Sequence, residues 1–212
     1  MASKALKILI AASAVFVGLY PFLYFFVDRK FGLLQTKPGA VLTNTSWNIA
    51  FYIHIVSGGI ALLIGWIQFN EKFRTKRLSW HRTIGKVYVF AALASSICSM
   101  YIALYATGGI VASSGFMLLG FVWFYSTYRA YNSIRKGNID FHQKMMTYSY
   151  AACMAAVTLR IYLPLLTMAF HDFTKAYLIV AWLCWLPNLA IAYYITRRQK
   201  TAANSVLQSS GT

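Results

Sequence analysis

The chain has 212 residues, 59% of them hydrophobic and 11% charged, with a mean hydropathy of +0.55 and a formal charge of +16. That balance excludes a soluble domain. The sequence also holds no nucleophile–base constellation, phosphate-binding glycine loop or zinc motif, which argues against a hydrolase or an ATPase.

An apolar run of about 20 residues crosses the hydrocarbon core as a helix, and such runs predict spans at 5–27, 48–69, 84–106, 112–131, 146–170 and 174–196. The first is too long for a signal peptide and is followed by no small-residue cleavage pattern, so it reads as a retained helix. The fifth contains Pro164, which predicts a kink or tilt there. The polar stretch "TAANSVLQSSGT" closes the chain and reads as a disordered tail over 201–212. The predicted fold is therefore all-α: one six-helix transmembrane bundle over residues 1–200.

The basic residues give the bundle an orientation. Lys4, Lys7, Lys72, Arg74, Lys76, Arg77, Arg82, Lys86, Arg129, Arg135, Lys136, Lys144, Arg197, Arg198 and Lys200 all fall on one side of the predicted spans. The other side receives Arg29, Lys30, Lys37 and Lys175, a split of 15 to 4 with Arg160 left inside a span. The positive-inside rule then places both termini in the cytoplasm. The charge reads as topology and contact with anionic lipid on the cytoplasmic face, with no nucleic-acid role.

Cys98, Cys153 and Cys184 occur singly within spans and read as small packing residues. The histidines carry more information. His81 and His142 fall at the cytoplasmic ends of spans three and five, while His54 and His171 lie towards the other side. This spacing predicts two separate sites, His54 with His171 and His81 with His142. A regular fifth helix would carry His142, Ser149, Cys153, Arg160 and His171 on one face. Span two carries His54, Gly58, Ala61, Gly65 and Gln68 as a stripe. That stripe reads either as close small-residue packing or as room for a planar macrocycle with His54 as axial ligand.

In span three, "RLSWHRTIGKVY" sets His81, Gly85 and Tyr88 on one face, with Arg77 a turn before. Its arginines and lysines read most simply as interfacial anchors. Arg160 stands in the apolar stretch "AAVTLRIYLPLL", and no Asp or Glu lies within a span to neutralise it. It sits at about the depth of His54. It requires backbone carbonyls, water or an oxygen-rich ligand, such as a haem propionate or a quinone oxygen.

The segments "HIVSGGIALLIGWIQF", "RLSWHRTIGKVYV", "HQKMMTYSYAACMAAVTLRIYLPL" and "WLCWLPNLAIA" resemble a family of bacterial membrane proteins, domain of unknown function 2306, over about residues 45–195. The resemblance falls on His54, Gln68, Arg77, His81, Arg82, Gly85, Tyr88, His142, Met146, Arg160, Trp182, Trp185 and Asn188. The sequence departs from the pattern near Met145 and Tyr148, where a tryptophan and an arginine are expected. The resemblance implies a bacterial cytoplasmic-membrane location, confers no activity, and gives His54, His81, His142 and Arg160 a part beyond packing.

The leading functional expectation is an electron carrier with one or two haem b groups, linked to quinol and analogous at fold level to diheme four-helix cytochromes b. His54, His81, His142 and His171 would ligate iron; Arg160, Gly58, Gly65, Gln68, Arg77, Arg82 and Tyr88 would line the cofactor or a quinone. The alternatives are a non-redox transporter holding an anionic ligand on Arg160, or an accessory subunit of a larger membrane complex. The sequence leaves open whether the protein is an enzyme.

Overall fold

Asparagine and aspartate side chains fix where several helices begin. The computed structural model describes residues 4–26 and 32–209; Asp28, Arg29, Lys30 and residues 210–212 lie outside them. The chain runs through α1 (Lys4–Leu19), a 3-10 turn at Tyr20–Phe22, α2 (Leu23–Phe26), a second 3-10 turn at Gly32–Thr36, and α3 (Gly39–Leu42). It continues through α4 (Thr45–Gly65), a third turn at Trp66–Phe69, α5 (Glu71–Lys76), α6 (Leu78–Ala103) and α7 (Gly109–Arg135). The remaining helices are α8 (Ile139–Cys153), α9 (Ala155–Phe170), α10 (Phe173–Leu183) and α11 (Leu186–Ser209). The Asn44, Asn70, Asn138 and Asp172 side chains accept the backbone N–H of Trp47, Phe73, Phe141 and Lys175, at 3.0, 3.1, 3.0 and 3.1 Å. Each satisfies a donor that a first helical turn leaves unpaired.

Six of these stretches are long and apolar enough to cross a membrane: Ile8–Phe26, Thr45–Phe69, Leu78–Ala103, Gly109–Arg135, Ile139–Phe170 and Phe173–Arg198. The protein is thus an all-α polytopic membrane protein. The third span starts earlier than its apolar run, the fourth ends later and the fifth starts earlier. Hydropathy marks the part of a helix that suits hydrocarbon, whereas caps such as Asn138 decide where the helix itself ends. The last helix runs to Ser209, through most of the stretch read from the sequence as an irregular tail.

Packing is close where glycines meet. A Cβ on Gly59 of α4 would stand 2.7 Å from the Gly18 carbonyl oxygen of α1, so these two backbones touch directly. α4 packs on α6, α6 on α7, α7 on α8 and α9 on α10. Phe16, Phe90, Ile110 and Met168 are left on the outside, as a bilayer solvent allows.

The fifth span is interrupted at Met154, and Pro164 lies inside α9. The helix break at Met154, ten residues before the proline, has no counterpart in the sequence reading of this span. The reason lies in α11. Asn188 Nδ2 donates to the carbonyls of Ala151 and Cys184 at 3.3 and 3.1 Å, and to Thr158 Oγ1 at 3.2 Å. Thr158 itself donates to the Met154 carbonyl at 3.2 Å and to that of Cys184. One asparagine therefore serves carbonyls at the α8–α9 break and at the break between α10 and α11, where intrahelical partners are missing. Of the cysteines, Cys153 and Cys184 are buried in apolar clusters and Cys98 is half-buried, all free.

Candidate functional site

A cavity of about 240 Å³ opens between α4, α6, α7 and α9, at the end of the bundle that carries Lys37. Its wall is apolar and aromatic, with Trp47, Phe51, Phe116, Trp123 and Tyr177, and three basic side chains interrupt it: His54, Arg160 and Lys37. An apolar pocket with a few convergent polar groups is the usual form of a small-molecule site.

His54 is held by α6. Its Nδ1 lies 3.1 Å from the Ser95 carbonyl oxygen and 2.9 Å from Ser95 Oγ. Ser95 Oγ in turn donates to the His54 carbonyl at 2.9 Å. The serine proton is committed to that carbonyl, so Nδ1 carries the imidazole hydrogen and donates to Ser95. The other nitrogen, Nε2, is then left with its lone pair as an acceptor. Gly58, one turn on, permits the approach of α6, because a Cβ there would stand 2.9 Å from Ser95 Oγ.

Arg160 is the opposite kind of group. Its Nη1 donates to the Ala156 carbonyl at 2.8 Å, and its guanidinium carbon lies 4.5 Å from the Tyr20 ring centroid. Tyr20 and Tyr24 are its polar neighbours, and it is near enough to His54 to act on it electrostatically. A guanidinium has five N–H donors, so donor capacity remains for an acceptor in the cavity. Among the described residues the one ion pair joins Lys175 to Asp172 at 3.7 Å, and no carboxylate pairs with Arg160.

Lys37 closes the rim. Its Nζ donates to the Tyr105 carbonyl at 2.6 Å and to Thr107 Oγ1 at 3.3 Å, tying the segment before α3 to the α6–α7 turn. Burial pushes its ammonium down to about 8. In the sequence Lys37 stands out only as one of the four basic residues on its side, and nothing there marks Ser95, Trp47 or Tyr20. These residues meet His54 and Arg160 through helix rotations that no local pattern records.

The other expected site residues are distributed as follows. His171 caps α9 in the left-handed conformation at φ 50° and is exposed; it does not line the cavity that His54 lines. His54 thus lines the cavity without His171, which ends α9 instead. Gly65 lies outside the cavity too: a Cβ there would stand 2.6 Å from Tyr150 Cδ2 and 2.9 Å from Tyr88 Cε2, so tyrosine rings fill the space expected for a macrocycle.

Tyr88 is fully buried and shares a hydrogen bond of 2.9 Å with Ser149 Oγ, which shares another of 2.7 Å with Thr127 Oγ1. That chain of hydroxyls locks α6, α7 and α8 together and does not face the cavity. Gln68, His81 and His142 lie towards the opposite end. His142 Nδ1 is 2.9 Å from the Ala130 carbonyl oxygen, and His81 has His142, Arg74 and Arg82 as its ionisable neighbours. Arg77 and Arg82 are exposed. Among the described residues no group of three or more His, Cys, Asp and Glu side chains gathers; one or two axial histidines would not register in such a group.

The fold and this cavity define a polytopic membrane protein with a basic-lipped, otherwise apolar pocket. The chain belongs to the family described as predicted membrane protein (DUF2306), whose profile matches residues 51–196. The matched region takes in His54, Ser95, Arg160 and Asn188 and leaves out Tyr20, Lys37 and Trp47. No curated protein and no solved structure matches the chain.

Proposed function

We propose that the protein binds a lipophilic molecule with a single oxygen-bearing ring, of the quinone–quinol class, in the cavity between His54 and Arg160. The observation that carries this reading is the pairing of a fixed acceptor with a fixed donor in one apolar pocket. His54 Nε2 accepts from a ring hydroxyl, and Arg160 donates to a ring carbonyl or phenolate oxygen. Size points the same way. Pockets for drug-sized ligands run about 300–1,000 Å³, and a cavity of about 240 Å³ takes one ring and leaves a long tail among the lipids.

Haem b, with electron transfer through it, is the second reading. It is favoured by one observation: His54 and His142 each set Nδ1 against a backbone carbonyl, as metal-ligating imidazoles commonly do. A tetrapyrrole is larger than the single ring that a cavity of about 240 Å³ suits. Solvent extraction and an absorption spectrum of the purified protein separate the readings. Near-stoichiometric extracted quinone without a Soret band supports the first, and a Soret band that falls in His54→Ala supports the second. Neither quinone nor haem, in protein from cells supplied with both, would overturn the two together.

The same proposal places both termini and the basic loops in the cytoplasm of a bacterial cell, against anionic lipid of the inner membrane, and puts the Lys37 rim on the outer side. The 15-to-4 split of basic residues supports it. Cysteine labelling that finds position 75 accessible from outside would reverse it.

A further inference from the structure

At the end of the bundle opposite the cavity, two buried nitrogens lack partners. Gln68 is 8% exposed and its Nε2 has no hydrogen-bond partner; His81 Nδ1 is likewise buried and unpaired. The two belong to one place. Gln68 Oε1 lies 3.5 Å from where a Gly85 Cβ would stand, so the amide covers Gly85. His81 is one turn before Gly85 on the same face of α6. Leaving a buried polar atom unpaired is costly, and such atoms in native proteins usually face a bound molecule or an ordered water.

The charges around them identify the bound chemistry. Arg74 of α5 and Arg82 of α6 are the cationic neighbours of His81, and His142 of α8 sets a second imidazole beside it. His142 is fixed by the Ala130 carbonyl through Nδ1, which leaves Nε2 for another partner. Among the described residues no acid forms an ion pair with any of these groups. Two guanidinium groups, two imidazoles and an amide, with Glu71 and Asp140 in the first turns of α5 and α8 but not ion-paired to them, carry the donors that a compact oxyanion accepts from. We infer that Arg74, His81, Arg82 and His142, with Gln68 behind them, form a second site that binds a phosphate-type oxyanion. The source is either a phospholipid headgroup or free phosphate. None of these residues lines the cavity, so the inference stands or falls separately from the quinone reading.

The test uses full-length protein in maltoside micelles, which carry no phosphate, with the imidazole nitrogens of His81 and His142 followed by NMR. One series adds inorganic phosphate; a second adds phosphatidylglycerol to the micelles. A saturable shift at both histidines is expected, with affinity falling about tenfold or more in Arg74→Gln/Arg82→Gln, the loss of charge-assisted bonds. It should be unchanged in Arg135→Gln/Lys136→Gln, which removes exposed charge elsewhere on the same face. A response to phosphatidylglycerol alone assigns a lipid headgroup, and a response to phosphate assigns the free anion. No saturable shift in either series, or an equal shift in Arg74→Gln/Arg82→Gln, overturns the site.

Discussion

The Arg160 guanidinium lies over the Tyr20 ring, 4.5 Å from its centroid, and thereby joins the fifth span to the turn between α1 and α2. In a desolvated setting such a contact contributes about 2 kcal/mol, and here it also directs the remaining N–H groups into the cavity. Arg160→Lys keeps the charge and loses the planar fork. It is expected to lower the melting temperature by only a few degrees while weakening ligand binding about tenfold or more. Thermal unfolding and ligand titration on the same preparation check this. A lysine variant with unaltered affinity would reduce Arg160 to a helix tie.

Lys37 gives a pH dependence. Its folded value of about 8 lies below the ordinary 10.5 because burial disfavours the ammonium. The unfolded chain therefore binds the proton more strongly. Stability contributed by this group rises as pH increases from about 8 to 10.5, and below 8 the full cost of the buried charge is present. Competitive labelling of the amine against pH is expected to show a midpoint near 8. Thr107→Val, which removes one acceptor of the Nζ hydrogens, should move the midpoint lower still. A midpoint at the ordinary lysine value would show that Lys37 is solvated and not part of the rim.

Asn188 is predicted to matter far from any ligand. Asn188→Leu keeps the volume and removes the donor to Ala151, Thr158 and Cys184. The expected cost is about 1–3 kcal/mol, from carbonyls left unpaired at two helix breaks. Because α9 carries Arg160, ligand affinity should fall as well. Unfolding midpoints of Asn188→Leu and of Val180→Ala, a core change in α10 that removes no side-chain donor, make the comparison. Equal midpoints for wild type and Asn188→Leu would contradict the role.

The sequence made the spans legible because hydrocarbon thickness sets a length that apolar runs must meet, and each of the six runs meets it. It also made half of the site legible: His54 and Arg160 stand at similar depth in their helices, and both line the cavity. His171 is absent from the wall that His54 lines, and its left-handed cap conformation is not marked by any pattern in the sequence. The glycine stripe divided as well, Gly58 making room for Ser95 and Gly65 for tyrosine rings. Ser95, 41 residues from His54, and Lys37, 68 residues from Tyr105, enter through helix rotation and loop closure. Neither leaves a periodic trace in one sequence. The break at Met154 was hidden for a similar reason: the side chains that bond to the carbonyls around it are Thr158 and Asn188, the second of them on another helix.

Trp47 and Trp123 line the cavity, so the most direct test of the central claim is tryptophan quenching by a short-chain quinone added to the protein in nanodiscs. Saturable quenching is predicted for wild type, with affinity about tenfold or more weaker in His54→Ala and in Arg160→Leu. A tail analogue without the ring should fail to compete. Quenching that does not saturate, or that is the same in all three proteins, would contradict a ring held between His54 and Arg160.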